Sequence, residues 1–288
     1  VRGTGEVRQM AVIDIDRDGV LDVVASAVNT GTLRWYRNVL GGPPATGFTP
    51  EVVGVQSTTG FIAMGDLNSD GWQDINVGNW WWAVAPSSTD SSFSASTILS
   101  ATTSGSTNSV FNNAVTGDMR RLGTDDLVVF QSTTVHWHFN SGGNVGTVKS
   151  YAVSGNTMLD IVLLDVNQDG LLDVVFGHTG GIGWLHNNGT ELTLQSADIF
   201  GAPGTKQLLA VDVDGNGLLD LLCLGTTSPT GLFWLPRATN GTFDSPKTIF
   251  GEELSGFAAA DLLARSLVDV VAHKNGQLHT FLNNPSQL

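Results

Sequence analysis

The 288-residue chain is short of several residue types at once: it has one cysteine, two tyrosines and four methionines, and 13 lysines and arginines against 27 aspartates and glutamates. A single cysteine excludes an intrachain disulfide, and Cys223, set in the apolar run Leu221–Leu224, reads as a buried core thiol. The few basic residues exclude a nucleic-acid surface, which needs a positive footprint. No apolar run approaches the ~20 residues that carry a helix across a bilayer, so no transmembrane segment is expected. Nor does any segment sustain an apolar period of 3.6, so almost no helix is expected. Charged residues make up 14% of the chain and glycines number 35, which suits strands joined by tight turns.

What the chain does contain is acid in a repeating pattern. Asp14-Ile-Asp16-Arg-Asp18-Gly19-Val-Leu-Asp22 returns from Asp66, with Asn68, Asp70, Gly71 and Asp74. It returns again from Asp165, with Asn167, Asp169, Gly170 and Asp173, and from Asp212, with Asp214, Asn216, Gly217 and Asp220. Oxygen side chains at positions 1, 3, 5 and 9, with glycine at 6 to reverse the backbone, suit a hard cation such as calcium. Two further copies are eroded. Asp118 to Asp126 has Arg120 and Leu122 where ligands belong, and Asp261 to Asp269 keeps only its two ends, so no metal is expected in either. About four Ca²⁺ would bring the formal charge from −14 to −6, so most of the acidity is accounted for by the sites themselves.

The first acids stand at 14, 66, 118, 165, 212 and 261, a period near fifty residues that signals a propeller or solenoid. In the first unit Met10–Ile13, Asp22–Ser26, Thr32–Asn38 and Phe48–Val53 read as four strands, with the metal loop between the first two. Third strands recur at 135–140, 182–187, 232–236 and 278–283, fourth strands include Gly241–Phe243 through Thr248–Phe250, and Ser92–Leu99 is the fourth strand of the second unit. The expectation is one all-β domain over 1–288, a six-bladed β-propeller of four-stranded antiparallel blades. The sixth unit runs to Leu288 just after its third strand, so a strand from ahead of Val1 would complete its blade, or the blade is three-stranded.

Asp-x-Asp/Asn-x-Asp-Gly-x-x-Asp, followed by a strand of the Trp35-Tyr36-Arg37-Asn38 type and then Gly-x-Phe, resembles the FG-GAP/VCBS repeats of integrin-α-like propellers. The resemblance covers essentially the whole chain, with the metal motif intact in four of six units. It implies one Ca²⁺ per intact loop. The ligands would be Asp14, Asp16, Asp18 and Asp22; Asp66, Asn68, Asp70 and Asp74; Asp165, Asn167, Asp169 and Asp173; and Asp212, Asp214, Asn216 and Asp220, with the position-7 carbonyls of Val20, Trp72, Leu171 and Leu218. Similar propellers serve as fungal lectins, adhesion heads and scaffolds of some polysaccharide lyases.

The calcium reads as structural, because no loop offers the open carboxylate pair and base of a metal-assisted hydrolase. Trp35, Trp137, Trp184 and Trp234 recur at one strand register and read as inter-blade core. Trp80, Trp81 and Trp82 cannot all face inward, since strand neighbours alternate sides, so they are the candidate ligand contact. His136 and His138 share a strand face and read as solvent-facing rather than as a metal pair. Asn188-Gly-Thr190 and Asn240-Gly-Thr242 are glycosylation sequons or tight turns. The chain starts at Val1 without methionine, which removal of a signal peptide or a leader ahead of Val1 would equally explain. Calcium-filled loops favour a secreted, luminal or cell-surface location. The expected function is non-enzymatic binding of a carbohydrate or protein partner, with a scaffold subunit of a larger assembly as the alternative and a carbohydrate-active enzyme as a lesser one.

Overall fold

In the computed structural model, residues 7–27, 32–38, 48–55, 61–77, 80–82, 84–85, 92–93, 97–98, 113–141, 145–153, 155–196, 202–227, 230–240 and 242–283 are described, and none of them is helical. The chain divides into two compact units, Val1–Tyr151 and Ala152–Leu288. Each is a series of antiparallel sheets whose strands follow one another in sequence, except that a separate strand pair intervenes before the last strand of the second sheet.

The first unit holds three four-stranded sheets. One comprises Val7–Ile13, Asp22–Ala27, Thr32–Asn38 and Phe48–Val55; the next Ile62–Gly65, Asp74–Val77, Trp80–Trp82 and Thr97–Ile98; the third Asn113–Gly117, Asp126–Gln131, Thr134–Asn140 and Val145–Ala152. The second unit holds two more, Met158–Leu164, Asp173–His178, Gly181–Asn187 and Leu192–Ser196, then Thr205–Val211, Asp220–Gly225, Gly231–Leu235 and Lys247–Phe250. It ends in a three-stranded sheet of Gly256–Ala260, Asp269–Lys274 and Gln277–Phe281.

Among the described residues five four-stranded blades are therefore present, not six. The sixth repeat makes three strands, and no described residue supplies a fourth. The expected fourth strand at Ser92–Leu99 is split. Ser92–Phe93 pairs with Val84–Ala85 as a separate two-stranded piece, and only Thr97–Ile98 joins the blade, against Trp81 and Trp80. Ser94, Ala95 and Ser96, between the two halves, lie outside the described residues.

Sheets stack face on face because their middle strands are apolar on both sides. Asp173–His178 and Asp220–Gly225 are buried at every position. In the first unit Ile15, Val24, Leu33 and Trp35 pack against Ile62, Ile75 and Val77 of the following blade. In the second, Val175 and Ile182 meet Leu208, Leu221, Cys223 and Phe233, and Leu222, Leu224 and Trp234 meet Phe257, Val270 and Ala272. Trp35, Trp137 and Trp234 are buried in the blades and Trp184 half-buried, as their shared register implies. Cys223 is buried too, and burial pushes its thiol well above the ordinary range.

A second device joins neighbouring blades. The first strand of three repeats carries a bulge just ahead of Gln9, Asp160 and Gln207, each five residues before its first loop acid. A bulge re-aims the side chain that follows it. Gln9 accepts from the Ile62 amide at 2.6 Å and Gln207 from that of Phe257 at 3.1 Å, while Asp160 accepts from Leu208 at 2.7 Å. In each case the partner lies four residues before the next loop acid, so one side chain fixes the register of the following blade. At one contact between blades there is no room for a side chain: a Cβ on Gly65 would lie 2.7 Å from Thr116 Oγ1 and 2.8 Å from Asp125 Oδ2.

His136 and His138 are both buried, against the expectation that they face solvent, because the blade face they share is covered. Burial, with a smaller repulsion from His136, lowers the pKa of His138 to about 4. A folded-state value below the unfolded 6.5 means the contribution is intact above pH 6.5 and lost as the pH falls toward 4. Between those limits the wild type should lose about 3 kcal/mol that a His138→Phe variant does not, read as the difference between their urea unfolding free energies at each pH. Parallel pH profiles would contradict this.

Candidate metal centres

Each metal-type loop joins the first and second strands of its blade, where a sharp reversal is needed. The reversal is made by left-handed residues at position 6 and also at position 4. Gly19, Gly71, Gly170 and Gly217 have φ between 83° and 88°, and Arg17, Ser69 and Gln168 have φ of 57°, 62° and 62°. With the backbone so turned, its amides converge on the first acid. Asp14 accepts from Asp18 N at 3.1 Å and Gly19 N at 2.9 Å, and the position-6 amides of Gly71, Gly170 and Gly217 reach Asp66, Asp165 and Asp212 at 2.8 Å. Position 5 accepts in turn from position 7: Val20 to Asp18 at 2.9 Å, Trp72 to Asp70 and Leu171 to Asp169 at 2.8 Å, and Leu218 to Asn216 at 2.7 Å.

The ninth residue has a different part. Asp22, Asp74, Asp126, Asp173, Asp220 and Asp269 all have no exposed surface. Asp22 accepts from Asn38 N at 2.7 Å, Trp35 Nε1 at 2.9 Å and Ile15 N at 3.4 Å. Asp173 accepts from Asn187 N at 2.7 Å and Val166 N at 3.0 Å, and Asp220 from Arg237 N at 2.6 Å and Val213 N at 2.9 Å. One carboxylate thus ties the loop, the second strand and the end of the third. The side chain at that third-strand end reaches on to the preceding loop: Asn140 Nδ2 donates to Leu67 O at 2.7 Å, and Arg237 Nη2 to Val166 O at 2.8 Å.

These loops suit a hard cation. Carboxylate oxygens of Asp14, Asp16 and Asp18 lie within 4.8 Å of one another, as do those of Asp212, Asp214 and Asp220. The donors are all oxygen, the set that calcium takes and zinc or copper does not favour. Burial pushes the carboxyls of Asp22, Asp173 and Asp220 above the usual range in spite of their N–H donors, so the buried charge is costly and a cation would offset it. In the second and fourth loops Asn68 and Asn167 replace an acid at position 3, and their amides hold Asp70 and Asp169 at 2.8 Å. Basic groups also approach the ligand set, with Arg37 paired to Asp16 and His186 Nε2 3.1 Å from Asp169.

Sequence reasoning missed the position-9 network and the left-handed residues at position 4. Only Gly215, at φ 75°, signals the latter in the sequence. Trp80–Trp82 is a strand paired with Val77, Asn76 and Ile75; its side chains lie outside the described residues. At the two sequons the asparagine builds the turn. Asn188 accepts from Thr190 N at 3.0 Å and Glu191 N at 2.8 Å, and Asn240 from Thr242 N at 3.1 Å.

Residues 14–77 and 165–223 match the FG-GAP-like repeat. No curated protein sequence matches the chain. Among solved structures it is similar to an Agrocybe aegerita lectin that recognises non-reducing terminal N-acetylglucosamine, with 19% identity and a TM-score of 0.64 over 92% of this chain and 73% of the lectin. It is also similar to a chain of the BBS1N–ARL6DN complex, with 10% identity and a TM-score of 0.62 over 94% of this chain and 78% of that one. At these identities the likeness is one of fold.

Removing a position-9 carboxylate leaves buried donors unpaired, whereas an exposed ligand leaves none. In chelator, Asp173→Ala should therefore cost about 3 kcal/mol and Asp169→Ala less than about 1, measured by urea unfolding. Equal costs would refute the structural role of the ninth residue.

Proposed function

We propose that the chain is a calcium-stabilised, non-enzymatic binding module of an extracellular, luminal or cell-surface compartment, recognising a carbohydrate. The observation that carries the metal part is the convergence of hard oxygen donors in loops whose backbone is already turned to present them. Asp14, Asp16, Asp18 and Asp22, with their counterparts from Asp66, Asp165 and Asp212, would hold one ion per loop. Bound calcium supplies positive charge at the blade corners. The chain's own contribution is to fix the loops, by the position-1 and position-9 carboxylates, and to hold the first two strands of each blade together.

The location follows from mass action. At ~1 mM calcium and a dissociation constant of ~0.1 mM each site contributes about 1.4 kcal/mol, and at cytosolic calcium almost nothing. Self-repulsion of −14 formal charges adds to the need for ions.

Recognition of a sugar is supported by the fold shared with the Agrocybe aegerita lectin, and by a row of three tryptophans on one short strand. In the sequence, three consecutive tryptophans make the aromatic surface proposed here as the ligand contact. A subunit role is the second reading, supported by the likeness to the BBS1N–ARL6DN complex.

Two measurements test the proposal. Excess chelator should lower the melting temperature by roughly 10 °C, and restored calcium should return it; an unchanged melting curve would remove calcium from the account. On a glycan array that includes sugars ending in N-acetylglucosamine, the calcium-loaded protein should give dose-dependent binding that Trp81→Ala, or its double variant with Trp80→Ala, abolishes. Silence across the array would favour the subunit reading.

A further inference from the structure

We infer that the guanidinium groups of Arg120 and Arg265 stand in for the cation in the third and sixth repeats, so that these two loops close without metal. The contrast with the other four loops rests on the calcium reading above; the ion pairs themselves do not.

All six loops share one backbone. The position-6 amides of Gly123 and Ser266 reach Asp118 and Asp261 at 2.8 and 2.7 Å, as in the other loops, and Gly123 and Ser266 are left-handed at φ 72° and 60°. The ninth residues also keep their role. Asp126 accepts from Asn140 N at 2.8 Å and Trp137 Nε1 at 3.0 Å, and Asp269 from Asn283 N at 2.8 Å and Leu262 N at 3.2 Å. What differs is the countercharge.

In the third repeat Arg120, at position 3, forks onto the buried acid, with Nε 2.9 Å from Asp126 Oδ2 and Nη2 2.8 Å from Oδ1. It also donates to the Asn140 carbonyl and lies 4.9 Å from the Phe139 ring centroid. In the sixth repeat Arg265, at position 5, brings Nη2 to 2.8 Å from Asp269 Oδ1. Two different loop positions deliver the same group to the same carboxylate.

A guanidinium is a fixed cation that offers donors only, so it satisfies the ninth acid and at the same time excludes a metal that needs oxygen ligands there. Leu122 and Leu263 remove a further ligand from each loop. The Arg120 side chain is 17% exposed against 36% for Arg265, so the third-repeat pair is the tighter and the less screened. Each compact unit thus contains two loops of the metal type and one closed by arginine, and ion loss acts on part of each unit, not the whole.

Hydrogen exchange read by mass spectrometry on the whole chain, in calcium and in chelator, tests this. Chelation should raise exchange severalfold in residues 14–22, 66–74, 165–173 and 212–220 and leave 118–126 and 261–269 unchanged. Arg120→Met should open 118–126 in both conditions; Arg265→Met, at the more exposed pair, does the same for 261–269 if the first variant fails to fold. The double variant Arg120→Asn with Leu122→Asp rebuilds the ligand pattern and should bind one more calcium per chain than the wild type.

The inference is overturned if 118–126 and 261–269 respond to chelator as the other loops do, or if the arginine variants leave exchange unchanged. It is equally overturned if the double variant folds and gains no ion while the wild type binds its own. Indifference of all six loops to both calcium and chelator would instead refute the calcium reading, and the methionine variants would still decide the role of the arginines.

Discussion

A carboxylate with no exposed surface, set where the second strand of each repeat begins, is the constraint on which the rest of the structure depends. A charge in that place is costly unless donors surround it. The loop amide at position 2 and the amide at the end of the third strand supply them, and in the first and third repeats an indole joins in. Since those donors belong to separate segments, satisfying the acid fixes the loop, the hairpin and the third strand together. Packing between blades then has rigid sheets to work with, and the bulged Gln9, Asp160 and Gln207 set each following sheet in register.

The same acid explains the distribution of charge along the chain. Hydrogen bonds alone do not neutralise it, and burial still lifts the carboxyls of Asp22, Asp173 and Asp220. Four repeats place further oxygens around it, which suits an ion from solution. Two place an arginine there instead, so their countercharge comes from within the chain. A repeat fold tolerates both solutions side by side because each blade contacts only its neighbours.

Much of this is legible in the sequence, and the limits have physical causes. The period and the loops can be read because ligand chemistry demands fixed residue types at fixed spacing. The strands flanking each loop follow, since the acid at position 9 opens the second strand. The recurring tryptophans read correctly as core, although nothing in sequence alone ties Trp35 to Asp22. The left-handed Arg17, Ser69 and Gln168 are invisible because the surrounding hydrogen bonds, not the residue type, impose that conformation. The bulges are hidden for a similar reason: an extra residue in a strand changes no composition. The count of four-stranded blades failed at the sixth repeat, which has three described strands, and the strand expected over Ser92–Leu99 is split because its short polar segments carry little side-chain pattern to read. The burial of His136 and His138 escaped notice because alternation tells which residues share a face, and not whether that face is covered.

The central claim, that the buried corner acid requires a countercharge drawn from solution in four repeats and from arginine in two, is tested most directly by counting metal. Elemental analysis of the protein after exhaustive dialysis against millimolar calcium should find about one ion for every intact acid loop and none for the loops of Arg120 and Arg265. A chain that retains its fold and carries no calcium, or one that binds an ion at every repeat, would contradict the account.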